Sequence, residues 1–149
     1  MNGFILIINE SFFHKYFERM QRVPTPVTIF VDQLQLDAEL FDTDCGRAIG
    51  AVLPLEVKPS VWGDEFYFEI PVKTSLDETA TTRVGVGDIG YWPPGSALAI
   101  FFGPTPMSAG VEPVPASAVN LVGKIHGDAT MLRSAKASLK MRIEHARAH

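Results

Sequence analysis

Basic charge, cysteine and long apolar runs are all scarce in this chain, and each shortage excludes something. Lys and Arg number 13 against 17 Asp and Glu, for a formal net charge of −4. Nucleic-acid backbones and anionic membrane surfaces call for clustered Lys and Arg, so neither is an expected partner. A single cysteine, Cys45, excludes an intrachain disulfide and a structural zinc site. A chain that relies on no disulfide is expected in the cytoplasm. No apolar run approaches the roughly 20 residues of a membrane span. The longest aliphatic stretch near the start, Phe4 to Ile8, lacks a basic residue before it and a small-residue cleavage site after it, so it does not read as a secretory signal. The four histidines, His14, His126, His145 and His149, are scattered or terminal. No metal-ligand spacing is visible and no Gly-rich phosphate loop precedes a helix, so no metal and no cofactor is expected.

What is present suits one globular domain: 149 residues, 46% hydrophobic and 20% charged. Residues 1–26 read as an N-terminal extension and linker, residues 27–144 as the domain, and residues 145–149 as a fraying tail. In the extension, Phe12, Phe13, Tyr16, Phe17 and Met20 fall on one side of a helix with Ser11 as its N-cap. Too short to be stable alone, that helix must dock on the domain or on a second copy, which makes residues 11–20 a candidate homodimer contact. The competing expectation is that Met20 is the natural start and residues 1–19 are not part of the protein. Val23-Pro24-Thr25-Pro26 breaks any helix.

From Val27 onward a period of two dominates. Val27, Ile29 and Val31, then Leu36, Ala38 and Leu40, predict a hairpin turning at Asp32-Gln33. Asp42-Thr43 predicts the cap of a short helix ended by Pro54, with Cys45 in its first turn, where the helix dipole lowers a thiol pKa. No histidine partner is visible for Cys45, and a packed thiol is the expectation. Phe66, Phe68 and Ile70 oppose Glu65, Tyr67 and Glu69. Residues 75–82 read as a surface loop, and Arg83–Val86, Asp88–Trp92, Ala97–Phe102 and Val119–Ile125 as strands. The Pro- and Ser-rich stretch 107–118 reads as a long loop of the kind that often carries function. Asp128 caps a second short helix, and Leu139, Met141 and Ile143 mark a last strand. About eight short strands and two short helices predict a mainly β barrel or sandwich.

The order of these pieces resembles the cyclophilins. Leu36 to Thr43 resembles their opening hairpin and first helix, Ala99-Ile100-Phe101-Phe102 a central strand, and Val122 to Asp128 the strand and turn before the closing helix. Trp62 to Phe68, Val86 to Gly95 and Phe101 to Pro106 are similar to signatures of a compact prokaryotic cyclophilin-like family of unestablished function. The resemblance covers about residues 27–144. It implies a closed β-barrel of about eight strands with two capping helices, and the N-terminal helix is then an addition.

Cyclophilins isomerise peptidyl-prolyl bonds against a barrier of about 18–20 kcal/mol, which requires favouring a twisted amide. In that family an arginine polarises the amide, and a Phe-Met-x-Gln cluster, a further Phe, a Trp and a His line the proline pocket. By order of elements the arginine would lie between Val57 and Pro71, where Lys58 is the sole cation. No Phe-Met-x-Gln cluster follows, and no histidine stands near Val119. Phe102 matches the pocket phenylalanine. Tyr91-Trp92-Pro93-Pro94 replaces a small-residue wall. Electrostatic stabilisation is usually the largest catalytic contribution, so standard isomerase activity is not expected; Arg83, reaching in from a loop, is the residue that would restore it.

The binding pocket expected instead is formed by Trp62, Glu65, Tyr67, Tyr91, Trp92 and Phe102, whose polar-tipped aromatics suit a small molecule or a peptide. The bland account has these aromatics plugging the barrel end, Asp64 serving a turn, and Glu65 on a solvated face. Asp64 and Glu65 point to opposite faces of a strand and so do not share a site. The alternative functions are a divergent prolyl isomerase and an assembly module.

Overall fold

The computed structural model describes residues 23–138 and 140–147. The expected N-terminal helix and its dimer contact through residues 11–20 lie outside the described residues. The first element is the hairpin of β1 (Thr25–Val31) and β2 (Leu34–Leu40). Val31 pairs with Leu34, leaving Asp32 and Gln33 as a two-residue loop in which Asp32 takes φ +52°, a conformation that Asp tolerates better than most residues. Val27, Ile29, Val31, Leu36, Ala38 and Leu40 are all buried, as their alternation requires.

Helix α1 (Asp44–Ala51) starts at Thr43, whose Oγ1 accepts from the backbone N–H of Gly46 at 3.0 Å. Strands β3 (Leu55–Val57), β4 (Ser60–Val61), β5 (Glu65–Glu69), β6 (Ala80–Thr81), β7 (Asp88–Trp92), β8 (Ala97–Phe101), β9 (Val119–Ile125) and β10 (Met141–His145) follow. Short 3₁₀ turns cover Pro93–Gly95 and Ala129–Ala135, the second capped by Asp128, which accepts from Thr130 N–H at 3.0 Å.

These strands join one antiparallel, curled sheet in the order β3-β10-β1-β2-β9-β7-β8-β5-β4, with β6 also paired to β9. Among the described residues no ladder links β3 to β4, so the sheet is a half-barrel and not the closed cylinder expected. These two edges are consecutive in the chain, with only Lys58 and Pro59 between them. Such a short span forces the sheet to curl.

Three further expectations are corrected. Strands β3, β4 and β6 are two or three residues long, and so short a run shows no periodicity to read. Residues 75–82 are not a free surface loop, because β6 lies within them and buried Asn120 ties them down: its Oδ1 accepts from Asp77 N–H at 2.9 Å and its Nδ2 donates to Ser75 O at 3.0 Å. Arg83–Val86 is not a strand. Gly85 N–H donates to Asp88 Oδ2 at 2.8 Å and Asp88 N–H to Gly85 O at 3.1 Å, so a turn takes the backbone groups that a ladder would need.

The concave side holds the main core, in which Ile29, Ile49, Phe66, Ile100, Phe102 and Leu132 are fully buried. The rings of Phe66 and Phe102 lie 4.9 Å apart at 44°, a geometry that contributes about 0.5–1.5 kcal/mol beyond their burial. A second, smaller cluster of Val84, Ala99, Phe101 and Val119, with Trp92 against it, occupies the opposite face.

Candidate functional site

The second cluster borders the candidate site. Register decides its membership: on β5 and β8, Glu65 pairs with Phe101 and Tyr67 with Ala99, and cross-strand partners share a face. On β7, Trp92 and Gly90 face the same way. A Cβ at Gly90 would stand 2.8 Å from Val119 Cγ2, so the missing side chain lets β9 bring Val119 against this face.

The loop after β8 folds over these residues. Thr105 and Ser108 knit it: Thr105 N–H donates to Ser108 Oγ at 2.9 Å, Thr105 Oγ1 to Val114 O at 2.5 Å, and Ser108 Oγ to Glu112 O at 2.6 Å. Trp92 Nε1 donates to Ser117 Oγ at 2.7 Å and pins the far end. Between loop and sheet lies a cavity of about 280 Å³. Trp62, Tyr67, Trp92 and Phe101 supply its aromatic walls, Ala99 and Val119 its floor, Pro115 and Ala116 its roof, and Glu65 its carboxyl group.

The cavity thus gathers Trp62, Glu65, Tyr67 and Trp92 from the six residues expected. Tyr91 and Phe102 point the other way, since each is adjacent in sequence to a cavity residue and successive strand side chains alternate. Tyr91 is fully buried; its hydroxyl donates to Val72 O at 2.6 Å and accepts from Thr74 N–H at 3.3 Å. Phe102 packs in the main core. Phe101, not Phe102, is the phenylalanine at the cavity, because the β5/β8 register pairs it with Glu65; alternation within β5 alone does not identify it.

Glu65 overturns the solvated-face expectation. It is only 7% exposed, and its Oε1 is buried with no hydrogen-bond partner among the described residues. Burial raises its carboxyl pKa to about 7. Asp64 next to it behaves in the opposite sense. Partial burial would raise its pKa, but hydrogen bonds and charge from Lys136 Nζ and Arg133 Nε, each 2.9 Å away, outweigh that and hold it below the usual value. A Cβ at Gly103 would intrude on both Asp64 and Arg133. Asp64 therefore clamps the closing 3₁₀ turn to the start of β5 and takes no part in the cavity, as the opposed faces require.

Neither Lys58 nor Arg83 lines the cavity, and Arg83 is exposed. Cys45 is buried, and burial raises its thiol pKa above the usual value, so the packed-thiol expectation holds and the dipole effect does not dominate. His126 faces Glu39 at 3.2 Å and His145 Nε2 lies 3.0 Å from Gly50 O. Among the described residues no group of three His, Cys, Asp or Glu could hold a metal, and no helix is long and apolar enough to cross a membrane.

Comparison with known proteins agrees with this architecture. No match was found among the curated proteins. The chain is similar to the solution structure of a hypothetical protein from Archaeoglobus fulgidus, with 33% identity, a TM-score of 0.71, and coverage of 85% of this chain and 98% of that one. The family described as Cyclophilin-like matches residues 25–144, the whole span from β1 into β10. On these grounds the chain belongs to the cyclophilin-like family.

Proposed function

We propose that this cyclophilin-like domain is a binding module whose ligand enters the cavity between the β5/β8 face and the 103–118 loop. One observation carries the reading: an apolar, aromatic-walled cavity of about 280 Å³ that contains one buried carboxyl group with an unsatisfied oxygen. Apolar concavities with a few fixed polar groups are the usual form of small-ligand sites. The ligand is a small molecule or a short peptide segment. Standard prolyl isomerisation has less support, because a twisted amide needs a polarising cation and, among the described residues, no Lys or Arg lines this cavity.

Ligand-observed NMR with a fragment library tests the reading. Expected are hits that shift the Trp62 and Trp92 indole signals and are lost in Trp62→Ala. Hits that map elsewhere, or none at all, overturn it. A protease-coupled proline-peptide assay tests the competing function, which requires a rate above background.

A further inference from the structure

We infer that the cavity selects a small organic cation, an alkylammonium group with an apolar tail, for which Glu65 is the counter-ion and the rings of Trp62, Tyr67 and Trp92 are the walls. This rests on the reading of the cavity as a ligand site and names the chemistry of its occupant.

The first ground is an imbalance. Glu65 is more than nine-tenths buried, and its Oε1 has no donor within reach among the described residues. An unsatisfied buried carboxyl oxygen costs free energy, and no described side chain offsets it. Among the described residues, Glu65 is the only carboxyl group lining the cavity, and no Lys, Arg or His lines it. On its own β5, Tyr67 is the other ionisable residue of the cavity; β8, β7 and β9 contribute Phe101, Ala99, Trp92 and Val119, and the loop contributes Pro115 and Ala116. When Glu65 is ionised the partner that its Oε1 lacks is a donor, and none of the described side chains lining the cavity is a cation that could supply one.

The second ground is the walls. Aromatic faces attract cations through their ring quadrupoles, most strongly for Trp and more so away from water. Two indoles and a phenol beside one carboxyl group favour an ammonium over a neutral donor, and disfavour any anion. The Trp92 indole N–H is already committed to Ser117, so that indole offers its ring and not its proton.

Burial raises the Glu65 pKa to about 7, which gives the proposal a signature. Below that pH the carboxyl group must lose its proton to pair with an ammonium, so binding releases a proton and weakens as the pH falls.

The test uses the full chain with cyclohexylamine, its neutral isostere cyclohexanol, and a lysine blocked at both backbone ends. Calorimetry or NMR titration is expected to show cyclohexylammonium binding at least about tenfold more tightly than cyclohexanol at about pH 8, and losing about tenfold in affinity by about pH 6. Calorimetry near pH 6.5 in two buffers of different ionisation enthalpy is expected to show proton release, about 0.5–1 per ligand. Glu65→Gln is expected to abolish the preference for the cation over cyclohexanol. Should that variant fail to fold, the proton count on the native chain still decides the matter independently. Blocked lysine binding as well as the free amine assigns the cation to a protein side chain, and free amine alone assigns it to a small molecule; both uphold the proposal. Equal binding of amine and alcohol, or no proton release, overturns it while the cavity reading stands. Binding of neither compound, together with an empty fragment screen, removes both.

Discussion

On the inner face of β5, Phe66 and Phe68 sit in the main core; on its outer face, Glu65 and Tyr67 line a cavity. One strand and one alternation produce both. The inner face is covered by Ile100, Leu98 and Phe102, all buried in the main core. The outer face has small Ala99 opposite Tyr67 and a loop for a lid, so packing there leaves a void. A core interior tolerates no such void without cost, and its survival on one side of the strand is what distinguishes the outer face from the filled inner one. The neighbours Asp64 and Glu65 repeat the lesson in electrostatic form. Asp64 faces two cations and its pKa falls; Glu65 faces rings and aliphatic carbons and its pKa rises.

The sharpest way to break the comparison is to truncate each face in turn. Phe66→Ala is expected to cost about 3–5 kcal/mol in urea denaturation, while Tyr67→Ala costs under about 1 kcal/mol because Tyr67 is 37% exposed. Equal losses would mean that both faces are core.

Next comes Glu65. Its folded pKa, about 7, lies above the ordinary 4.5. Between those values the folded state holds the proton more tightly than the unfolded state, so stability falls as pH rises from about 4.5 to about 7 and is flat above. The fall is up to about 3 kcal/mol. Glu65→Gln is expected to flatten that interval in denaturation midpoints recorded across it; an unchanged slope would place the titration elsewhere.

Asp64 tests the opposite sign. Its folded pKa lies below the ordinary 3.8, so its contribution is present above that value and is lost as pH drops through the folded pKa. Asp64→Asn is expected to cost about 1–2 kcal/mol at neutral pH, limited because Arg133 and Lys136 are 52% and 38% exposed. The smallest effect belongs to Ser117→Ala, which removes the partner of Trp92 Nε1. Thermal melting is expected to report a loss below about 1 kcal/mol, and Trp92 fluorescence to show a less ordered indole. A large loss would mean that the lid is part of the folding core.

Much of the fold was legible. Period-two runs named the hairpin, β5 and β10, a continuous apolar run named β8, short segments between turn residues named β7 and β9, and Thr43 and Asp128 marked their helical turns, because each signal is contained in a few adjacent residues. Strands β4 and β6 were not, since two residues carry no period and pair only when a partner strand is brought to them. The cavity was half legible. Alternation placed Glu65 and Tyr67 on one face and separates Tyr91 from Trp92, whereas Phe102 was excluded only by the pairing of Phe101 with Glu65.

Which side chains of one strand share a face followed from residue order alone, since alternation is a property of the extended backbone. What lies over that face was decided only in three dimensions. Thr105, Ser108 and Ser117 fold the 103–118 loop onto the outer sheet, and this removes Glu65 from water and gives the strand a cavity instead of a wet surface. Burial depends on residues 40 to 52 positions away in the chain, and no local pattern around Glu65 encodes it.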